Sequence, residues 1–535
     1  MLLSRALISL AVANTVSVLA VQLPELKLPY GTWRASKYDS VADVYTFRNI
    51  RYAAPPTGPL RFASPAPPAP VSEVQDGSYG PLCPQMDDDG TMNSDSDEDC
   101  LFLDVYVPGS ALETQGKNLS VLMYIFGGSY TSGGKDSAPS IGLYDGTGFV
   151  YQSHGEAIVV VPNYRLGALG GWWGGSTAVN AGATSLGLAD QRAALEWIRD
   201  YIHILGGNPL DVTVMGQSAG GGSILHHITQ FGGERDPLFH KAIIQSPGWQ
   251  DEWNHQRSEA VFQYFSNLSG CPGGDFGCLR TAPVSAILSA QAQWAGTGLG
   301  PTPDGKWIRD HPALELQNGH YWSDLESVVV THVVDEGGLF VPPVDITDSS
   351  ITATLTAIYE DPEVVAAIEQ FYPPVNSSGS PYQTGTERQA AIASDSLFLA
   401  KYRYIAEAFA GKTFAASRTR GNAGHGDDVP PTWYNPTLTS DGIPLPDVIG
   451  DAEASQAWQS YLVSFILTGN VNPLRNSSST IHWGRFCTAS HERLRTLDIG
   501  DEGFRTIQDT QGTRSQANFW REILGKLASQ HPMNW

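Results

Sequence analysis

The sequence predicts an α/β fold: a large, mostly parallel central sheet with helices on both faces. Three observations lead there. Short apolar, β-branched runs alternate with longer amphipathic ones, the pattern of strands joined by crossover helices. No internal repeat and no Gly/Ser- or Pro-rich linker divides the 535 residues, so one domain over residues 21–535 is the simplest organisation. Finally, a serine flanked by glycines, Gly216-Gln217-Ser218-Ala219-Gly220, sits between a strand-like and a helix-like run.

Taken in order, residues 1–20 read MLLSRALISLAVANTVSVLA, with Arg5 ahead of an apolar stretch and small residues Val18 and Ala20 before the expected cut. That is a secretory signal peptide, too short and poorly flanked for a membrane span. Leu119–Phe126 (LSVLMYIF) and Ala157–Val161 (AIVVV) read as buried strands. Leu186–Ile204 is helical, with an amphipathic period carried by Leu188, Arg192, Leu195, Glu196 and Arg199. A strand at Val212–Met215, a helix from Ala219 to about Thr229 and a strand at Lys241–Gln245 follow, and Ser327–His332 is a further β-branched strand. In such sheets the functional loops lie at the carboxyl ends of the strands.

Composition excludes some partners. The formal charge is −23 and the pI about 4.8, a surface that repels phosphate backbones, so no nucleic-acid partner is expected. The C-terminal LASQHPMNW carries no anchor tail or retention signal, and no stable membrane anchor is expected. Asn118, Asn267, Asn376 and Asn476 each open a glycosylation sequon, whereas Asn435 is followed by proline. Together with the leader they point to a secreted, extracellular protein. Of five cysteines, local spacing favours Cys83 with Cys100 and Cys271 with Cys278, leaving Cys487 over; four paired cysteines still allow three arrangements. No Cys-x-x-Cys or His-x-x-x-His spacing suggests a metal site, and no cofactor is expected.

The Ser218 motif has the grammar of a nucleophile elbow. A sharp strand-to-helix turn needs small neighbours, and the helix beginning just beyond Ser218 directs its positive end at developing negative charge. The surrounding sequence resembles the type-B carboxylesterase/lipase family, which includes the cholinesterases. The resemblance rests on LGLADQRAALEWIRDYIHILGGNPLDVTVMGQSAGGGS ending at Ser223, IRYAAPPTGPLRF (Ile50–Phe62), EDCLFLDVYVP (Glu98–Pro108), VPNYRLGALG (Val161–Gly170), DEGGLF (Asp335–Phe340) and SDSLF (Ser394–Phe398). These landmarks run in family order from about residue 30 to the C-terminus. They imply an α/β-hydrolase fold and a serine esterase acting on a small-molecule ester.

The resemblance also implies the rest of the site. Ser218, Glu336 and His425 fall in the fold's order of nucleophile, acid and base. Glu336 has a rival in its neighbour Asp335. His425, in Gly424-His425-Gly426-Asp427, combines a Gly-rich loop with the right chain position, whereas His226 and His227 lie on the helix after the elbow and His332 reads as a core residue of its strand. Phe126-Gly127-Gly128-Ser129-Tyr130 matches the oxyanion loop, with the backbone amides of Gly128, Ser129 and Ala219 as donors. Where the family usually has a third glycine this chain has Ser129, which leaves the amide in place and adds a Cβ and a hydroxyl.

Departures from the cholinesterases narrow the substrate. Gln217 replaces the glutamate common before the serine, removing a charge that would favour a cation. Residues 84–99, PQMDDDGTMNSDSDED, contain no tryptophan for cation–π contact and seven acidic side chains. This segment has neither the apolar face of an interfacial lid nor the spacing of an EF-hand, and reads as a solvated flap. Trp172, Trp173 and Trp249 fit either a pocket or the aromatic core. The expected activity is hydrolysis of short-chain or bulky non-ionic esters through an acyl-enzyme. Lipase or sterol-esterase activity, acyl transfer in making a secreted metabolite, and a non-catalytic adhesion homologue are the alternatives.

Overall fold

The structure, a computed structural model, describes residues 23–530 apart from 88, 115, 137–142, 250–254, 294–299, 343, 441–442, 445–450 and 488–490. The leader, 1–20, lies outside the described residues. Among those described, eleven strands form one sheet. They are β1 (Lys37–Asp39), β2 (Val44–Arg51), β3 (Phe102–Pro108), β4 (Leu119–Ile125), β5 (Ala157–Pro162), β6 (Gly207–Gln217), β7 (Lys241–Gln245), β8 (Ser327–Val333), β9 (Thr413–Arg418), β10 (Arg495–Gly500) and β11 (Gly503–Gln508). Their spatial order is β1-β2-β3-β5-β4-β6-β7-β8-β9-β10-β11. The strands from β5 through β10 in that order are parallel, and antiparallel strands finish each edge.

The parallel centre is covered on both faces, which is why β4, β5, β7 and β8 are buried along their whole length and read as continuous apolar runs. The helices bearing on the site are α1 (Leu186–Tyr201), α2 (Ala219–Ile228), α3 (Asp348–Tyr359), α4 (Gly385–Ser394), α5 (Ala400–Ala408), α6 (Ala452–Thr468) and α7 (Arg514–Gln530). Thr347 starts α3 with a capping box, and a π-helical turn at Asp395–Leu399 joins α4 to α5. None of the described helices is long and apolar enough to cross a membrane.

Two boundaries differ from the sequence reading by three residues or more. The first helix ends at Tyr201, and its last predicted residues tighten into a 3₁₀ turn, Ile202–Leu205, closed by Gly206 at φ 83°. Strand β6 begins at Gly207, earlier than its apolar run, because Gly207 already pairs with Leu119. Asn208, Pro209 and Asp211 lie in an irregular stretch between the paired Gly207 and Val212, where side-chain pattern gives no strand signal.

Register aligns the carboxyl ends of the central strands. Ile125 pairs with Gly216, Gln217 with Gln245, Gln245 with Thr331, and Val333 with Arg418. The loops after β4, β6, β8 and β9 therefore emerge side by side, and these are the loops holding Gly128, Ser218, Glu336 and His425.

Candidate active site

Ser218 lies one residue past β6, at φ 57° and ψ −123°, a conformation that a non-glycine residue keeps only when its surroundings enforce it. They do. Its N–H donates to the Gln245 carbonyl at 3.0 Å, and its own carbonyl accepts from Gly222 at 2.9 Å and Gly248 at 3.0 Å. The flanking glycines have no room for a side chain: a Cβ on Gly216 would stand 2.6 Å from the Gly220 carbonyl carbon, and one on Gly220 1.9 Å from the Ile125 oxygen. Helix α2 begins at the next residue, Ala219.

Strand β8 delivers Glu336, whose side chain is wholly buried. Its Oε1 accepts the Val333 N–H at 2.9 Å, and its Oε2 faces His425 Nδ1 at 2.5 Å. Asp335 points elsewhere: exposed, it accepts the Gly338 N–H at 2.9 Å. The Asp335 backbone instead draws in the histidine loop, donating to the Ala423 carbonyl at 3.0 Å and bridging to Gly424. His425 Nε2 then stands 2.8 Å from Ser218 Oγ. A carboxylate can only accept, so Nδ1 carries the ring proton and Nε2 presents a lone pair to the hydroxyl.

Several neighbours went unassigned in the sequence. Phe340 packs edge-on to His425 at 5.2 Å between ring centres, and Phe398, delivered by the π-helical turn, lies 4.4 Å away on a tilted plane. Both belong to the DEGGLF and SDSLF landmarks, so a signal existed, but nothing local tied either ring to His425. Asp428, three residues after His425, is buried and accepts from Gln245 Nε2 at 2.9 Å. Burial, then the nearby Glu336 charge, push its carboxyl up to about 6, while the neighbouring His425 ring and the Arg418 guanidinium oppose the shift.

The loop after β4 lies against the elbow. A Cβ on Gly127 would come within 2.9 Å of the Ser218 Cβ, and Gly128, Ser129 and Tyr130 follow with φ of 108°, 54° and 61°. The Gly128 carbonyl accepts from Thr131 and Ser132, both at 3.0 Å, which turns the loop back sharply. Gln217 is buried, and its Nε2 has no partner among the described residues. The acidic flap is tied to this loop: Gln85 accepts the Gly133 N–H at 2.8 Å and donates to the Gly133 carbonyl at 2.9 Å. Glu98 and Asp99 are engaged by Arg61 and Arg51, so part of the flap's charge is structural. No helix forms among its described residues.

Disulfides join Cys83 to Cys100 and Cys271 to Cys278, and Cys487 is exposed as a free thiol. Asn118, Asn267, Asn376 and Asn476 are all exposed. Trp172 and Trp173 are buried in aromatic clusters, the first against Tyr130 and the second against Phe262 and Phe265, while buried Trp249 packs on His226. Beyond Phe340 an apolar cavity of about 250 Å³ opens between α3, α4 and α7, lined by Ile351, Leu355, Leu397, Trp520 and Leu524. Among the described residues no group of three His, Cys, Asp or Glu side chains is arranged to hold a metal.

A mostly parallel sheet presenting a serine elbow, a buried carboxylate and a histidine at its carboxyl edge defines an α/β-hydrolase fold. The chain belongs to the carboxylesterase family, whose model matches residues 22–520. It is 36% identical over 527 residues to a secreted lipase of Arthroderma benhamiae, spanning 96% of this chain and 95% of that protein. It is 30% identical to the para-nitrobenzyl esterase of Bacillus subtilis, spanning 89% and 95%. Among solved structures, Aspergillus niger EstA superposes with a TM-score of 0.81 at 24% identity, covering 95% of this chain and 99% of that one, a likeness of fold.

Proposed function

We propose that this protein is a secreted serine carboxylesterase in which Ser218 is the nucleophile, His425 the general base and Glu336 the acid that orients it. One observation carries the reading. Continuous hydrogen-bonding contacts, 2.8 Å from Ser218 to His425 and 2.5 Å from His425 to Glu336, join groups from three separate loops. As Ser218 Oγ attacks the ester carbonyl, its proton passes to His425 Nε2 and the carbonyl π electrons move onto oxygen. The amides of Gly128, Ser129 and Ala219 are the proposed donors to that oxyanion. On collapse the C–O bond to the alcohol breaks, and His425 gives its proton to the departing oxygen. Water, deprotonated by the same histidine, then attacks the acyl-serine and returns the carboxylic acid and free Ser218. Glu336 remains ionised throughout and stabilises the imidazolium.

The leader, the four exposed sequons and the two disulfides support passage through the secretory pathway. One domain over residues 21–535 accords with a sheet whose strands come from Lys37 to Gln508. For substrate, non-ionic esters remain the reading, because Gln217 supplies no charge to a cationic group. The apolar cavity beyond Phe340 and the likeness to a secreted lipase favour a second reading, a lipase-like enzyme taking longer acyl chains.

Initial rates on p-nitrophenyl esters from acetate to palmitate, with Ser218→Ala as background, test both. Activity that vanishes in the variant and peaks at short chains supports the carboxylesterase. A maximum at long chains that Ala393→Phe, which adds a ring to the cavity wall, moves toward short chains supports the lipase-like reading. Wild-type rates no higher than those of Ser218→Ala on every ester would overturn the assignment of Ser218.

A further inference from the structure

A buried pair behind Glu336 has no part in the steps above. His332 and Asp509 lie 177 residues apart in sequence, yet His332 Nε2 stands 2.7 Å from Asp509 Oδ2 and both are almost fully buried. On its other side His332 Nδ1 is 2.9 Å from the Val333 carbonyl. A carbonyl only accepts, so Nδ1 is protonated. Asp509 already receives donors as a carboxylate does: the Gln511 N–H at 2.9 Å on Oδ1 and the Tyr402 hydroxyl at 3.4 Å on Oδ2. Nε2 therefore donates as well, and the ring is an imidazolium. Burial pushes such a ring down, but Asp509's charge and hydrogen bond outweigh it and hold His332 up at about 9.

The pair grips the backbone that carries Glu336. Val333 accepts from His332 through its carbonyl and donates its N–H to Glu336 Oε1. The next carbonyl, of Val334, accepts from Gln511 Nε2 at 2.8 Å, and the Gln511 N–H in turn rests on Asp509. The loop after β11 thus clasps residues 332–334 from behind. The groups facing His332 are Asp509 from that loop, Tyr402 from α5, edge-on at 4.7 Å with its hydroxyl shared with Thr496 of β10, and Glu336 from the loop that follows its own strand.

We propose that the His332–Asp509 ion pair is a positioning device for Glu336: it fixes the end of β8 so that the carboxylate meets His425, and it places a positive charge within reach of that carboxylate. His332 and Asp509 are positioning residues, and the inference rests on the assignment of Ser218, His425 and Glu336 above.

The test is a double-mutant cycle between His332→Gln/Asp509→Asn, which removes both charges together, and Glu336→Gln. On a p-nitrophenyl ester, the charge-free pair is expected to lower kcat by about 10- to 100-fold with KM within about threefold, and to add almost nothing in the Glu336→Gln background. Wild-type kcat should also fall as pH rises through about 9, a limb the charge-free pair lacks. A loss that multiplies fully onto Glu336→Gln, or a folded pair with wild-type kcat, overturns the proposal. If the paired variant fails to fold, nitrogen-15 histidine NMR of the wild-type enzyme decides: two protonated ring nitrogens for His332 at pH 7.5 support it, and a neutral ring overturns it. If Glu336→Gln alone stays within tenfold of wild type, the triad assignment fails instead, an outcome distinct from failure of the pair.

Discussion

Replacing Glu336 with Gln isolates the orienting role of the proposed acid with almost no change in volume. In the wild type both carboxylate oxygens accept, Oε1 from the Val333 N–H at 2.9 Å and Oε2 from His425 Nδ1 at 2.5 Å. Glutamine offers one acceptor and one donor. If its oxygen stays on Val333, its NH₂ faces Nδ1, which must then accept, and the ring proton moves to Nε2, against Ser218. That tautomer cannot take the serine proton. If the amide flips, two N–H donors meet in a site closed to water, and an orphaned buried donor costs about 1–3 kcal/mol. The inactive arrangement therefore dominates by about 5- to 160-fold. Loss of the negative charge that stabilises the imidazolium adds to this. The corresponding Asp→Asn exchange in a serine-protease triad lowers kcat about 10,000-fold, equivalent to about 5 kcal/mol of barrier. The assay is kcat on a p-nitrophenyl ester at pH 7.5, with Ser218→Ala as the floor and a thermal melt showing the variant folded. A folded Glu336→Gln enzyme within tenfold of wild type would refute the reasoning.

Three further outcomes follow from other parts of the structure. Cys83→Ser/Cys100→Ser opens a loop of sequence separation 17; the chain-entropy model puts the loss at about 3 kcal/mol, readable by denaturant unfolding, and an unchanged midpoint would show that the flap's stability comes from Gln85 and its ion pairs instead. Ser129→Gly, at φ 54°, keeps the proposed backbone donor and removes a strained Cβ; kcat should stay within about threefold and stability within about 1 kcal/mol, and a 100-fold loss would assign a catalytic task to the hydroxyl. Asp428→Asn keeps an acceptor for Gln245 but cannot ionise. Because the folded carboxyl is raised from 3.8 to about 6, its contribution to stability is full below pH 3.8 and lost as pH rises through about 6. The variant should melt higher than wild type at pH 7.5 and about equally at pH 3.5, and the opposite order would contradict the burial argument.

The parallel centre of the sheet was readable because its strands are buried on both faces, and continuous apolar runs such as AIVVV in β5 report that environment directly. The edges were not. Strand β11, with only partial burial, and β1, three residues long, have no apolar run to announce them, and their pairing depends on a neighbour already in place. The elbow was legible for a local reason: Gly216 and Gly220 are required by contacts within four residues and with the adjoining strand. Choosing between Asp335 and Glu336 was different, since both belong to one motif and only the approach of the His425 loop separates them.

By itself, the sequence determined the α/β class, the strand–helix alternation and the serine turn between glycines, because each is written in residues that are neighbours in the chain. Tertiary structure decided which carboxylate meets His425, which aromatic rings flank that histidine, where the apolar cavity opens and how His332 finds Asp509. The physical reason is separation. His425 reaches Glu336 across 89 residues and Ser218 across 207, and His332 reaches Asp509 across 177. Contacts at that range are set by strand order and register in the assembled sheet, and no local periodicity encodes them.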